Sequence, residues 1–190
     1  MNEQDLDRRQ QKTRSALHEA FVTLLLEQGY EALKIGQVAD LANVGRSTFY
    51  EHYRTKHDLL MASIRKPFSV LADLVEPGAG TERIPALLRH FRDNQHVGRV
   101  LLGWPVRPLL GQALTGLIAL RLARAPLGAA LLPAEVIARQ VAEAQLALLE
   151  CWIMGRPACG IEAVTEGLKR CSAALVGVGF GVGERSAGAA

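Results

Sequence analysis

Apolar residues recur at intervals of three and four along most of this chain, the spacing that gathers them on one face of an α-helix. Leu17, Phe21, Leu24, Leu25 and Gln28 share such a face, which predicts a helix from near Arg9 to Gly29, a residue suited to a left-handed stop. Ile35, Val38, Ala39 and Ala42 repeat the pattern for only about two turns before Asn43-Val44-Gly45 breaks it. A helix that short needs neighbours to persist. Phe49 and Tyr53 then stand four apart with Val44 just ahead, while Arg46, Ser47, Tyr50, Glu51 and Arg54 point elsewhere. From Lys56 a longer stripe runs through Leu59, Leu60, Ile64, Phe68 and Leu71 until "EPGAG" at 76–80 ends it, the clearest candidate for a domain junction.

Beyond that break the pattern predicts helices at roughly 81–93, 97–103, 108–124, 134–155 and 160–176, divided by Pro105, Pro108, Pro126, Pro133, Pro157 and Gly160. The 134–155 segment carries Val136, Ile137, Val141, Ala144, Leu146, Leu148, Leu149, Trp152 and Ile153, more apolar positions than one buried stripe needs, so it should face two partners. The closing "GVGFGVGERSAGAA" reads as a frayed Gly/Ala-rich tail. Its glycines follow a helix rather than a strand, so they do not make a dinucleotide fingerprint. The expected fold class is all-α.

Composition adds bounds. With 190 residues and 49% apolar content, the chain can bury a sizeable core. The formal net charge of +3 is too small to announce a nucleic-acid binder, and residues 1–60 hold eight Lys/Arg against nine Asp/Glu. Any contact with DNA from this end must come from where charges are placed, because their regional sum is negative. Cys151, Cys159 and Cys171 lack a CxxC pair and read as reduced thiols. No apolar run is long enough to span a bilayer and no signal-peptide pattern opens the chain, so the expectation is a cytoplasmic protein with no membrane partner. His18, His52, His57, His90 and His96 show no metal-binding spacing, and no nucleophile stands at a recognisable distance from a base. The sequence therefore gives no support for a metal, a cofactor or an enzyme.

Function is concentrated in "VGRSTFYEHYRTKHDLL", residues 44–60. Two short helices joined by a tight turn, packed between longer helices, form a helix-turn-helix, whose second short helix enters the major groove. In residues 35–53 the inward positions Ile35, Val38, Ala39, Val44, Phe49 and Tyr53 would hold the pair rigid, leaving the outward face to meet DNA. Arg46 and Ser47 sit at the leading end of the second helix, and Arg46 is the candidate base reader, since arginine can bond guanine O6 and N7 together. Tyr50 lies one turn further on. Thr48, His52 and Lys56 are the candidate phosphate donors, with Lys56 also opening the next helix. The basic run Arg8, Arg9, Lys12 and Arg14 reads either as further phosphate contacts or as a solvated helix end beside Glu3, Asp5 and Asp7.

The stretch "ALHEAFVTLLLEQGYEALKIGQVADLANVGRSTFYEHYRTKHDLLMASI" resembles the DNA-binding domain of the TetR family of bacterial transcriptional repressors: a Gly-Tyr-Glu-Ala turn, a "VA" helix, Thr-Phe-Tyr-x-His-Tyr and Lys-x-x-Leu-Leu. The likeness covers residues 10–65. It implies a three-helix, homeodomain-like helix-turn-helix domain followed by a helical ligand-binding and dimerisation domain. It also implies a homodimer that binds a two-fold symmetric double-stranded operator and releases it when a small molecule enters the second domain. The family's phosphate-contacting positions fall on Thr48, Tyr50, His52 and Lys56, and its variable base-reading positions on Arg46 and Ser47. Three departures stand out: Lys34 replaces the usual capping Thr of the first short helix, with Gly36 where a polar residue is common; Asn43 replaces the usual turn Gly; and Gly45 replaces the usual Ser cap.

The resulting division is a DNA-binding domain at 1–57, a ligand-binding and dimerisation domain at 58–178, and a flexible tail at 179–190. Phe91, Leu101, Trp104, Leu114, Ile118 and Gln145 are the expected walls of a ligand pocket, which calls for a largely apolar effector. Leu148, Trp152 and Leu168 are expected in a four-helix dimer core. The rival from another class is a helical small-molecule carrier or enzyme without DNA binding, its N-terminal helices serving only as packing. An activator or a corepressor-dependent repressor would use the same parts with opposite coupling.

Overall fold

A computed structural model describes residues 3–180 except 79, 126, 156 and 157. Among the described residues the chain is helical, with no strand, and it divides into two compact units at Arg65/Lys66. This division falls several residues after the 57/58 boundary expected from sequence and inside a helix. "EPGAG" is not the junction: the buried side chains of Leu71, Leu74 and Val75 just before it already belong to the second unit. The proline and glycines there end a helix without separating two cores.

The first unit contains α1 (Glu3–Ala32), α2 (Ile35–Leu41), α3 (Arg46–His52) and the first part of α4 (Lys56–Ala72). Helix α1 begins earlier than its apolar stripe, because Gln, Glu, Lys and Arg favour a helix by their own propensity. Its regular path breaks at Gly29, where φ 78 and ψ 168 are open to glycine and costly to other residues. Leu17, Phe21 and Leu25 of α1, Leu33 after it, Val38 and Ala39 of α2, Phe49 of α3 and Leu59 and Leu60 of α4 make the unit's buried core.

The second unit holds the end of α4, a 3-10 turn (Asp73–Val75), α5 (Ile84–Asp93), α6 (Gln95–Leu101), α7 (Val106–Leu122), α8 (Ala134–Ile153) and α9 (Ile161–Gly179). Helix α8 packs against both α7 and α9, the two-sided burial its excess of apolar positions requires. Helix α9 runs three residues further than the sequence pattern gave, so the expected tail at 179–190 begins at its last turn, and residues 181–190 lie outside the described residues. Two polar clasps hold the end of α4. Arg121 of α7 donates to Ser69 Oγ at 2.9 Å and to Asp73 Oδ1 at 2.9 Å through Nη2, while Gln145 of α8 donates to the Leu71 carbonyl at 3.1 Å. That carbonyl lies in the last turn of α4, just ahead of the 3-10 turn.

Candidate nucleic-acid interface

The turn between α2 and α3 is closed by backbone bonds from Ala42 N to Val38 O (2.9 Å), Asn43 N to Asp40 O (3.1 Å) and Val44 N to Ala39 O (3.0 Å). Asn43 adopts φ 53, the left-handed conformation that Asn tolerates better than most side chains, so the turn is made without the usual glycine. Lys34 gives α2 no side-chain cap, but Gln37 reaches back to accept from the Lys34 N–H at 3.0 Å and pairs its amide with that of Gln28 of α1 at 3.3 Å. Half of a capping box thus survives the loss of its Thr. Gly45 likewise offers α3 no side-chain cap.

Phe49 fixes the orientation of α3. Its ring is fully buried and meets Tyr50 edge-on, with centroids 5.6 Å apart and planes at 85°, while Tyr53 lies tilted at 5.9 Å. With Phe49 pointing inward, the helical period turns Arg46, Ser47, Tyr50 and Glu51 to solvent. Tyr50 is 56% exposed, a large apolar ring with its hydroxyl held outside the core. Thr48 and His52 are half-buried along the flank of the same helix. Burial raises the Tyr53 phenol above its usual range, with the positive charge of Arg14 pulling the other way. The bases of the basic run, Arg8, Arg9, Lys12 and Arg14, are exposed along α1.

Lys56 departs from the phosphate role expected of it. Its ammonium is turned into the domain and donates to the carbonyls of Tyr30 at 2.8 Å, Glu31 at 3.0 Å and Leu33 at 3.0 Å, 4.8 Å above the Tyr30 ring. An ammonium has three N–H donors, and all three are engaged. The carbonyls at the end of α1 lack intrahelical partners, and a cation there also meets the negative end of the helix dipole. Lys56 is therefore a clasp between α4 and the end of α1. Tyr30 is itself raised in pKa, by burial first and by the charge of Asp58 second.

Sequence reasoning also passed over Thr55 and Asp58. Asp58 Oδ2 accepts from the N–H groups of Arg54 (3.1 Å) and Thr55 (3.0 Å), and Thr55 Oγ1 accepts from Asp58 N at 3.1 Å. This reciprocal cap starts α4, and its signal, Ser/Thr followed three residues later by an acid, is present in "TKHD".

In the second unit the expected pocket residues separate. Leu114 and Ile118 are fully buried on α7, Phe91 and Leu101 are half-buried, and Gln145 is 2% exposed. Gln145 Nε2 donates to Leu71 O and, at 2.9 Å, to Ser172 Oγ, whereas its Oε1 has no hydrogen-bond partner among the described residues. Trp104 does not line an interior wall: it is 83% exposed, in the turn that leads into α7. Of the three residues expected at a dimer core, Leu148 and Trp152 are half-buried, and Trp152 donates its indole N–H to the Cys159 carbonyl at 3.0 Å. Leu168 is a correction. At 1% exposure inside its own protomer, it has no surface left to cover with a partner. Among the described residues no three His, Cys, Asp or Glu side chains converge on a metal-sized space, and no helix is long and apolar enough to cross a membrane.

Two short helices joined by a tight turn, one side buried and the other open to solvent, make a helix-turn-helix arrangement. Residues 17–62 match the family model described as bacterial regulatory proteins, tetR family. A TetR transcriptional regulator from Streptococcus agalactiae shares the fold with a TM-score of 0.57 and 27% identity, over 90% of this chain and 99% of that one. The HTH-type transcriptional regulator YxbF of Bacillus subtilis is 38% identical over 72 residues, which are 37% of this chain and 19% of YxbF. The HTH-type transcriptional repressor KstR of Mycobacterium tuberculosis is 28% identical over 106 residues, 56% of this chain and 46% of KstR. The matches thus span less than half the length of these two curated relatives. The tetR family likeness falls on residues 17–62, within the first unit of the chain.

Proposed function

We propose that this protein is a homodimeric transcriptional repressor that reads a two-fold symmetric operator with α3 and releases it when a small molecule occupies the second unit. One observation carries the reading: Arg46, Ser47 and Tyr50 stand exposed together on a short helix whose opposite side is locked by a fully buried Phe49. Arg46 takes the base-reading role, Tyr50 a phosphate or a thymine methyl, and Thr48 and His52 phosphate oxygens on the flank. Lys56 acts indirectly, by holding the end of α1. The likeness to KstR, a transcriptional repressor, supports the direction of control.

The effector is largely apolar, because the packed faces of α7 and α8 are apolar. Leu148 and Trp152 contribute to the dimer face. Coupling requires only that the effector favour a dimer whose two α3 helices no longer match half-sites about 34–36 Å apart.

The experiment is selection of bound fragments from random duplex DNA by the full-length protein. An inverted repeat is expected, and recovery of no common sequence would leave the chain a helical carrier with an unused N-terminal domain. On the recovered site, Arg46→Ala should weaken binding by about 1–3 kcal/mol and relax the preference at one base pair per half-site, read by fluorescence titration against single-base variants.

A further inference from the structure

The side chain that reads bases needs somewhere to lie, and the structure shows what makes that room. A methyl group built on Gly36 of α2 would stand 2.8 Å from Arg46 Nη2, 3.2 Å from Cζ and 3.3 Å from Nε. All three atoms belong to the guanidinium, which thus occupies the space that any side chain at position 36 would claim. Gly36 lies in the first turn of α2 and Arg46 opens α3, so the contact joins the two helices of the motif. Glycine is a poor choice at a helical position with ordinary backbone angles, since alanine is the better helix former. Gly36 has no positive φ to justify it. Its value lies in the absent side chain.

We infer that Gly36 is a specificity-determining positioning residue: the bare α2 backbone seats the Arg46 guanidinium and so fixes which base edge it can reach. This rests on the DNA-reading role of α3 proposed above. Arginine has four rotatable bonds in its side chain, and holding it against a neighbouring helix removes much of that freedom before DNA arrives. A side chain at 36 pushes the guanidinium aside at little cost to the fold, because a flexible tip moves more readily than backbone. The damage then falls on recognition and spares stability.

The test compares the full-length wild type, Gly36→Ala, Arg46→Ala and the double variant by selection from a randomised duplex pool, with thermal melting of each. Gly36→Ala should melt no lower than wild type, yet lose at least about fivefold of its preference at the base pair assigned by Arg46→Ala, the lower end of what a bidentate arginine–guanine pair contributes. Other positions of the site and the salt dependence should stay as they were. The double variant should select like Arg46→Ala alone. An unchanged preference in Gly36→Ala overturns the inference while leaving α3 as the reader. So does a double variant that differs from Arg46→Ala, because position 36 would then act by another route. A wild type that selects nothing removes the base-reading role itself, and this inference with it.

Discussion

Phe49→Ala is expected to abolish operator binding even though Phe49 touches no DNA. The side chain has no exposed surface, and removing a buried phenylalanine costs about 3–5 kcal/mol from lost burial and the cavity left behind. Helices α2 and α3 have seven residues each, far below the length at which a helix persists without tertiary contacts. Phe49 is also what Tyr50 and Tyr53 rest against, so its loss frees one member of the reading face directly. Amide hydrogen exchange should therefore quicken throughout residues 35–52, while amides in α7 to α9 keep their protection. If the variant retains both its exchange pattern and its affinity, the rigid underside described above is not what presents α3.

Lys56→Met should destabilise the first unit by roughly 1.5–3 kcal/mol, the range for hydrogen bonds that involve a charged group. Methionine keeps most of the apolar stem and removes the ammonium, so the Tyr30 and Glu31 carbonyls at the end of α1 and the Leu33 carbonyl just after it lose their donor together. Faster exchange at the end of α1 and the start of α2 would report the loss. The slope of log affinity against log salt should stay near that of wild type, because the ammonium is engaged by these carbonyls. A variant of unchanged stability whose salt slope is shallower by about one would return Lys56 to the phosphate-contacting set.

Much of the fold was legible because burial in helices leaves a periodic trace. Leu59, Leu60, Ile64, Phe68 and Leu71 announced α4, and each is buried as the stripe implies. The start of α1 left no such trace, being built mainly from polar helix formers. What the pattern could not convey was direction at the level of single side chains. A lysine that opens a helix beside a DNA-reading surface invites a phosphate role, yet its long stem allows it to turn back to the Tyr30, Glu31 and Leu33 carbonyls. Trp104 in an apolar stretch invites burial, but it falls in a turn between helices and faces water. Leu168 shares an apolar helix with outward-facing neighbours, and only the packing of α9 against α8 decides that it points inward.

The same limit applies to the departures from the family pattern. Gly36 looks like a loss when α2 is read alone, and its role emerges only with the Arg46 guanidinium lying where its side chain would be. Lys34 looks like a missing cap until Gln37 is seen bonding its backbone N–H. In both cases the compensating residue lies within a dozen positions, but the chain's path, not its spelling, brings the pair together.

The central claim is that the Arg46, Ser47 and Tyr50 face discriminates between DNA sequences. Its most direct test measures the affinity ratio between the selected duplex and a permuted duplex of the same composition, for wild type and for Arg46→Ala/Ser47→Ala/Tyr50→Ala, at one fixed salt concentration. These side chains are exposed, so the triple variant should melt close to wild type while its ratio falls towards one. A triple variant that still prefers the selected duplex as strongly as wild type would contradict the account.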